Sequence, residues 1–341
     1  MSIKITVNGE EKEIKKDLNL AELLAELEVD PEVTIVKLNE AMVPQGELAE
    51  RYVESGDNIE YIFFMGGGVF DLTEKEIERY SRHIILKDLG GTGQQKIKDA
   101  KVLVVGAGGL GSPAAFYLAA AGVGTLGLVD SDHVDLTNLQ RQILHTTEDT
   151  GRPKVDSARE KLEAMNPNVD VKTYNQYLNK DNMESIIADY DIIVDGVDNF
   201  PTRYLLNDAC VMAGKLLVEA GILQFSGQLT TIMPGEGPCY RCIFAEPPKE
   251  GAIPSCQEAG VLGAIAGTIG TLQATEVLKL ITGIGRPLVG RMLVYDAKDL
   301  SFREVEVKKS DNCDVCGEDP VITELMEYEL SCNLHQQQAE A

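Results

Sequence analysis

The sequence predicts an α/β protein in which a mostly parallel sheet is flanked by helices, preceded by a small α+β domain. Two observations support this prediction. After residue 71, short apolar strands alternate with helical stretches, and one of these strands runs through a glycine-rich turn directly into a helix at residues 105–112. Before residue 65, a hairpin, a helix and two further strands follow each other closely.

The first 64 residues have the pattern of a β-grasp fold. Alternating Ile3, Ile5 and Val7, followed by Asn8-Gly9, predict a strand and a tight hairpin turn. Asn19 precedes leucines at helical spacing and is expected to cap their helix. The remaining expected elements are a return strand from residue 13, a strand at 33–38, a turn at 39–40 and a strand at 58–64.

The elements of the larger domain follow in order. One helix is expected over residues 73–87, with Thr73 as its cap and Glu76 closing a capping box. The other expected elements are strands at 101–105, 125–129 and 191–194, helices at 112–121 and within 260–283, and two late strands at one sheet edge, 293–296 and 302–307.

Composition limits the class of partner. The 341 residues are 44% apolar and 25% charged, which excludes extended disorder, and the absence of Trp argues against a base-stacking platform. The net charge of −24 is spread over both parts of the chain and argues against nucleic acid or an anionic membrane as a partner. It is compatible with a solvated acidic surface or with a basic protein partner.

The chain carries no predicted targeting or membrane segment. Its first 16 residues contain no apolar run, so no signal peptide is expected, and the apolar stretch at 260–283 is interrupted by polar residues. We therefore expect a cytoplasmic protein, in which cysteines bind metal or react rather than form disulfides.

A glycine-rich loop is the first candidate site. Gly106-Ala107-Gly108-Gly109-Leu110-Gly111 follows an apolar strand and opens a helix, the context of a phosphate or dinucleotide site. Asp130, at the end of the next strand, is placed to bind ribose hydroxyls. By itself this pattern leaves three alternatives open: an NAD-dependent oxidoreductase, an ATP-using enzyme and a vestigial nucleotide fold.

Charged residues close to this loop in sequence extend the site. Arg141 and Lys154 favour a triphosphate, although each is also compatible with ordinary surface charge. Asp195, Asp198 and Asn199 follow another apolar strand, where ligands of parallel sheets bind. The two aspartates are candidates for holding magnesium, and Asp198 or Asn199 for capping the next helix.

Cysteine spacing predicts a metal site. Two C-x-x-C pairs, Cys239 with Cys242 and Cys313 with Cys316, predict a closed, structural four-thiolate zinc site that ties the C-terminal segment to the main body. Cys210 lies in an apolar helical pattern and is expected to pack in the core. Cys256 lies between a proline-containing loop and a helix, where a thiol is either an activated nucleophile or inert.

Together these motifs resemble the ThiF/MoeB/HesA family of ubiquitin-activating-enzyme-like adenylyltransferases. The resemblance spans about residues 72–317 and rests on RYSRH at 79–83, GAGGLG at 106–111, Asp130, NLQRQ at 138–142, GRPK at 151–154, DGVDN at 195–199, SCQEAG at 255–260 and the paired cysteines. It implies a Rossmann-like domain over residues 69–341 and favours ATP over NAD. Residues 1–68 resemble a ThiS/MoaD-like ubiquitin-like sulfur carrier ending in Gly66-Gly67-Gly68, a stretch that is otherwise compatible with a flexible linker.

The resemblance implies roles for individual residues. ATP would be bound by Gly106, Gly108, Gly109 and Gly111, with Asp130 on the ribose, Asn138, Arg141 and Lys154 on the phosphates, and Asp198, beside Asn199, on magnesium. Arg82 would enter the active site of the other subunit of a homodimer. Cys256 matches a mobile-loop cysteine that takes part in sulfur or acyl transfer in some members of the family.

The implied reaction is the transfer of AMP to the C-terminal glycine carboxylate of a carrier, with release of pyrophosphate, for thiocarboxylate formation in thiamin or molybdopterin biosynthesis or a related route. The carboxylate is itself the nucleophile, so catalysis needs positioning and charge neutralisation rather than a general base. A cysteine desulfurase or other persulfide donor would be a further partner. The rival functions are a non-catalytic scaffold that binds a separate carrier and an NAD-dependent oxidoreductase.

One departure from the family pattern affects the substrate. Gly68 is followed by Val69, so the intact chain has no carboxylate at its glycines. Either a protease cuts after Gly67 or Gly68, or the fused domain is a docked regulator and a separate carrier is the substrate.

Overall fold

The computed structural model describes residues 2–29, 31, 34–63, 71–248 and 259–328. They belong to two compact units, Met1–Lys96 and Ile97–Ala341. The domain boundary predicted at residues 68 and 69 lies outside the described residues and stays a prediction.

The first unit contains a five-stranded mixed sheet with the order β2-β1-β5-β3-β4 and one helix packed on it. β1 and β5 are parallel, and the other neighbours are antiparallel. Its elements are β1 Ser2–Val7, β2 Glu10–Lys15, α1 Leu20–Glu26, β3 Thr34–Leu38, β4 Ala41–Val43 and β5 Asn58–Phe63. This topology confirms the predicted β-grasp fold.

Local chemistry explains these elements. Asn8 and Gly9 have φ angles of 49° and 83°, which a tight hairpin between twisted strands requires. Asn19 caps α1 as predicted, because its side chain accepts from the Glu22 amide at 2.8 Å while Glu22 accepts from the Asn19 amide at 3.0 Å. The buried leucines of α1 then fill the core under the sheet.

The helix predicted over residues 73–87 is two helices, so that prediction is wrong in extent. α2 Glu74–Arg79 starts with the predicted Thr73 capping box, but Tyr80 leaves helical geometry with ψ of 12°, and α3 Ser81–Ile84 follows. Tyr80 is only 4% exposed. The break lets Tyr80 and Ile84 pack into one small apolar cluster.

The second unit is built on an eight-stranded sheet with the order β13-β12-β11-β10-β9-β6-β7-β8. The five neighbouring strands β10, β9, β6, β7 and β8 are parallel to one another. β11, β12 and β13 add an antiparallel edge. The strands are β6 Lys101–Val105, β7 Thr125–Val129, β8 Asp170–Tyr174, β9 Ile192–Asp195, β10 Leu216–Leu223, β11 Ser226–Ile232, β12 Arg291–Asp296 and β13 Ser301–Glu306. The predicted α/β class and its late edge strands are confirmed.

Helix α4, Gly90–Asp99, spans the boundary between the units. The described residues of the second unit form six further helices: α5 Gly111–Ala121, α6 Lys154–Met165, α7 Met183–Ile187, α8 Phe200–Ala213, α9 Tyr240–Ile243 and α10 Gly263–Thr282. α10 confirms the buried helix expected within 260–283. It packs closely on α5, since a Cβ on Gly270 would lie 2.4 Å from the Leu110 carbonyl oxygen. Within the described ranges, no helix is both long and apolar enough to cross a bilayer.

Candidate nucleotide site and thiolate cluster

The glycine loop joins β6 to α5 at the carboxyl edge of the parallel strands. Gly106 has φ of 92°, and a Cβ there would lie 2.7 Å from the Gly196 carbonyl oxygen. A Cβ on Gly111 would lie 1.8 Å from the carbonyl oxygen of Gly106. The loop therefore admits no side chain at these positions, and it presents its backbone amides at the N-terminus of an 11-residue helix.

Two loops converge at this edge. Val105 of β6 pairs with Asp195 of β9, so the glycine loop runs beside the loop that contains Gly196 and Asp198. β7 lies on the other side of β6. Ligands of open α/β sheets bind beyond the carboxyl ends of such neighbouring strands, where the connections leave in opposite directions. The carboxyl end of β6 is therefore the candidate site of this sheet.

Asp130 lies at the end of β7 and holds the glycine loop. Its Oδ2 accepts from the Ala107 amide and its Oδ1 from the Asp132 amide, each at 2.8 Å. Burial raises the pKa of Asp130, while the charge of Lys154 and the two amides oppose this rise. Each carboxylate oxygen keeps a further lone pair, so the group can still accept hydrogen bonds from ribose hydroxyls.

Lys154, the first residue of α6, is 6% exposed and donates to Asp132 Oδ2 at 2.8 Å. Asp132 is 67% exposed. A buried cation whose counterion lies at the surface can exchange that counterion for a phosphate at little cost, because the carboxylate returns to water. The position of Lys154 is therefore compatible with its predicted role.

Asn138 ends a short 3₁₀ turn, Leu136–Asn138, and Arg141 follows this turn beside the glycine loop. Arg141 donates to the Thr137 carbonyl at 3.1 Å, and its Cγ lies 3.6 Å from the point where a Cβ on Gly109 would be. Asn138 accepts from the Asp135 amide at 3.3 Å. The fold thus brings the NLQRQ motif against the loop, as the predicted site requires.

Three residues of the DGVDN motif at 195–199 have different roles. Asn199 caps α8 by accepting from the Thr202 amide at 2.9 Å, which confirms the capping alternative for this residue. Asp195 is fully buried and accepts from Arg203 Nε at 3.0 Å. Asp198 is exposed at the same loop, so it is the carboxylate of this motif that faces solvent.

A buried ion cluster supports this loop and was not predicted. Arg203 lies between Asp195 and Glu219, and it also donates to the carbonyls of Val197 and Ala220 at 2.9 and 2.8 Å. Burial raises the pKa of Glu219 to about 7. Strand β10, which carries Glu219, was missed in the sequence because this charged residue interrupts its apolar run.

His145 is a further residue that sequence reasoning missed. It is buried, with Nε2 2.9 Å from the Ala107 carbonyl oxygen and Nδ1 2.9 Å from Ser157 Oγ. Burial lowers the pKa of His145, which favours the neutral ring. A histidine directly after two apolar residues, Ile143 and Leu144, was the signal available in the sequence.

The four paired cysteines form a cluster in which every sulfur lies within 4.8 Å of the others. The Sγ atoms of Cys239 and Cys313 are 3.5 Å apart, and those of Cys242 and Cys316 are 3.4 Å apart. Four converging thiolates fit the tetrahedral preference of zinc and fill its coordination shell, so the site is structural. The predicted four-thiolate arrangement is confirmed.

Both residues between the first two cysteines anchor this cluster to α8. Arg241 makes a bidentate ion pair with Asp208 at 2.8 and 2.9 Å, and the Tyr240 amide donates to Asn207 at 2.8 Å. Tyr328 also donates to Asp208, at 2.6 Å, and so fastens the C-terminal segment. Cys210 of α8 is fully buried, as expected for a core cysteine.

Some predicted site residues are not tested by this geometry. Arg82 is exposed on α3 in the first unit, and its entry into the site of another subunit stays a prediction. Cys256 and the tail Gly66, Gly67 and Gly68 lie outside the described residues.

Comparison with known proteins tests the family resemblance. The ThiF family profile matches residues 80–315, and the ThiS family profile matches residues 5–68. The sulfur carrier protein adenylyltransferase of Thermus thermophilus is 50% identical over 267 residues, which cover 77% of this chain and 98% of that protein. The adenylyltransferase and sulfurtransferase MOCS3 of Drosophila sechellia is 49% identical over 272 residues, covering 79% of this chain and 60% of that longer protein.

Solved structures show the same fold. Escherichia coli MccB in complex with AMPCPP and MccA superposes with a TM-score of 0.61 at 25% identity, over 70% of this chain and 74% of that one. PaaA superposes with a TM-score of 0.60 at 28% identity, over 72% of this chain and 78% of that one. The ThiF match covers more than half of the chain, and these findings establish that the chain belongs to the ThiF family and carries a ThiS-type domain at its N-terminus.

Proposed function

We propose that this protein is an ATP-dependent adenylyltransferase that activates the C-terminal glycine carboxylate of a ubiquitin-like sulfur carrier as an acyl-AMP, for thiocarboxylate formation in sulfur transfer. One observation carries the proposal. The glycine loop, Asp130, Arg141 and Lys154 converge at one sheet edge, in a chain 50% identical to a sulfur carrier protein adenylyltransferase along nearly all of that protein.

The chemistry fits a site without a general base. A carboxylate oxygen attacks the α-phosphorus of ATP, a new P–O bond forms, and the bond to the β-phosphate bridging oxygen breaks to release pyrophosphate. The nucleophile is already ionised at neutral pH, so no proton has to move. Rate acceleration then comes from alignment and from neutralising the phosphate oxygens.

Each residue of the proposed site would bind a different part of ATP or its metal ion. Asp130 would hold the ribose, and Asn138, Arg141, Lys154 and the amides of the glycine loop would hold the phosphates. Asp198 would hold Mg²⁺, because a solvent-facing carboxylate beside the phosphate loop offers the hard oxygen ligand that this ion prefers. Bound there, Mg²⁺ would withdraw negative charge from the phosphates. Asn199 orients this loop through its cap on α8.

The thiolate cluster takes no part in this chemistry. Cys239, Cys242, Cys313 and Cys316 would hold Zn²⁺, which supplies a cross-link between the α9 segment and the C-terminal segment.

Further parts of the proposal concern partners. We propose a homodimer in which Arg82 completes the opposite site, a cytoplasmic location, and a persulfide donor such as a desulfurase that supplies sulfur, with Cys256 as a candidate for transfer. The carrier is either the chain's own domain, released after Gly67 or Gly68, or a separate protein. Intact-mass analysis of the protein from its native cells distinguishes these, since a single uncut species would exclude release.

Carrier-dependent exchange of labelled pyrophosphate into ATP tests the activity. The wild-type protein, supplied with a carrier ending in diglycine, should catalyse exchange. Asp198→Ala and Arg141→Ala should each lower it by at least about tenfold, since each removes a charged contact worth roughly 1.5–3 kcal/mol. Arg159→Ala is the matched control, because Arg159 is exposed on α6.

Exchange that both substitutions leave unchanged would contradict the assigned site. An intact protein that binds carrier without any exchange would favour the scaffold function, and binding of NADH without ATP would favour the oxidoreductase.

A further inference from the structure

We propose that His145 is a positioning residue that sets the orientation of the nucleotide loop through the Ala107 peptide group. The inference rests on the proposed function for the identity of the ligand. The contacts of His145 with the Ala107 carbonyl and with Ser157 Oγ are called the clamp below. They join atoms of this chain alone and can be tested without the reaction.

Ala107 is held at both of its backbone polar groups. Its amide donates to Asp130 Oδ2 at 2.8 Å, and its carbonyl accepts from His145 Nε2 at 2.9 Å. In a trans peptide the C=O and the following N–H point in opposite directions. The hydrogen bond from His145 to the Ala107 carbonyl therefore also determines where the Gly108 amide points, and Gly108 belongs to the loop that would bind the phosphates.

His145 is itself fixed from its other side. The Ala107 carbonyl can only accept, so Nε2 carries the proton and Nδ1 accepts from Ser157 Oγ. Ser157 lies on α6, one turn after Lys154, and Lys161 donates to Ser157 Oγ at 3.0 Å. His145 thus joins the loop to the helix that carries the proposed phosphate cation.

This arrangement needs the neutral imidazole. The charged groups that act on the ring are Lys154 and Lys161 of α6, which disfavour protonation, and Asp149, which favours it. A second proton on Nδ1 would remove the acceptor to which Ser157 Oγ donates, so the contact between the ring and α6 would have to rearrange. The net effect of burial and the two lysines is a lowered pKa for His145.

Kinetics of four variants test the role. His145→Ala should raise the KM for ATP in pyrophosphate exchange by about tenfold, with a smaller change in kcat. His145→Gln should recover much of this loss, because its amide can donate to the Ala107 carbonyl. Ser157→Ala, which removes the partner of Nδ1, should be intermediate. His133→Gln is the matched control, since His133 is an exposed histidine of the same region and should behave as the wild type.

The pH profile separates positioning from bulk structure. Wild-type kcat/KM for ATP should fall as pH drops below the ordinary histidine range, because the charged ring can no longer accept from Ser157 Oγ and loses its link to α6, although Nε2 still donates to Ala107. His145→Gln has no ring to titrate, so its kcat/KM for ATP should not show this decrease at low pH. The same decrease in His145→Gln would overturn the proposal.

Nitrogen NMR of the wild-type imidazoles tests the clamp directly and needs no active enzyme. The expected spectrum shows His145 neutral at pH 7 with the proton on Nε2. Hydrogen exchange at the Ala107 amide, which donates to Asp130 Oδ2, should also speed up at least tenfold in His145→Ala. If exchange of pyrophosphate is absent in the wild type but both results hold, the proposed function fails and the clamp stands. A neutral ring with its proton on Nδ1 would overturn the clamp, because it would leave no donor for the Ala107 carbonyl, and this readout holds even if His145→Ala does not fold.

Discussion

Arg203 donates to Asp195 at 3.0 Å inside the protein, where β9 ends and the loop toward α8 begins. The same guanidinium reaches Glu219 at 3.5 Å and two backbone carbonyls, so one cation holds the loop on which Asp198 lies. Two carboxyl groups and one guanidinium share a buried site. This arrangement makes the loop rigid and also makes it sensitive to the loss of the cation.

Arg203→Leu should therefore destabilise the protein by about 3–5 kcal/mol, because it leaves two buried carboxyl groups without a cation and two carbonyls without a donor. Chemical denaturation of the purified variant measures this change. Arg159→Leu, an exposed arginine on α6, is the control and should change stability by less than about 0.5 kcal/mol. A loss below about 1 kcal/mol in Arg203→Leu would show that the buried cluster is not held by this cation.

The raised pKa of Glu219 predicts a pH dependence of stability. Burial raises this pKa from 4.5 to about 7, so between these values the folded protein keeps a proton that the unfolded chain has released. Stability from this group is present below pH 4.5 and is lost as the pH rises to 7, by roughly 1–3 kcal/mol.

Glu219→Gln removes this titration. The variant should gain stability relative to wild type as the pH rises from 5 to 8, as measured by urea unfolding at each pH. Glu184→Gln, an exposed glutamate on α7, should keep the wild-type slope. Parallel curves for wild type and Glu219→Gln would contradict the assigned protonation.

Two helical glycines should respond in opposite ways to alanine. A Cβ on Gly111 would lie 1.8 Å from the Gly106 carbonyl oxygen, so Gly111→Ala must displace the glycine loop. We expect loss of ATP binding, measured by calorimetry, together with a lower melting temperature. In Gly267→Ala the new methyl meets no atom within 4 Å, so this variant should bind ATP normally and gain roughly 0.5–1 kcal/mol of helix stability. Normal ATP binding by Gly111→Ala would place the nucleotide elsewhere.

The thiolate cluster predicts a bound metal. Cys313→Ser should lower the zinc content from about one per chain to near zero and lower the melting temperature by several degrees, because metal binding contributes to folding. Atomic absorption and thermal unfolding measure the two effects. Cys332→Ser, outside the paired motifs, should change neither quantity. Full zinc content in Cys313→Ser would exclude the four-thiolate site.

Patterns that are local in sequence were predicted well. The Asn19 and Thr73 caps, the Asn8-Gly9 turn and the strand before the glycine loop each depend on neighbouring residues, so their chemistry is visible in the sequence. The paired cysteines were recognised for the same reason, since two cysteines of each pair are three residues apart. By contrast, β10 and β11 were missed, because Glu219 interrupts the apolar run of β10 and polar residues such as Thr230 interrupt β11, although both side chains are buried.

The sequence by itself determined the fold class, the position of the glycine loop, the four thiolates and the family, because spacing and residue type are enough to recognise them. Only the tertiary structure decided that Asp195 and Glu219 share Arg203 and that His145 holds Ala107. These contacts join residues from separate elements, up to 38 positions apart in the case of His145 and Ala107. A hydrogen bond or ion pair at such a separation depends on how the elements pack against each other. Such a contact cannot be recognised from the periodicity of the sequence.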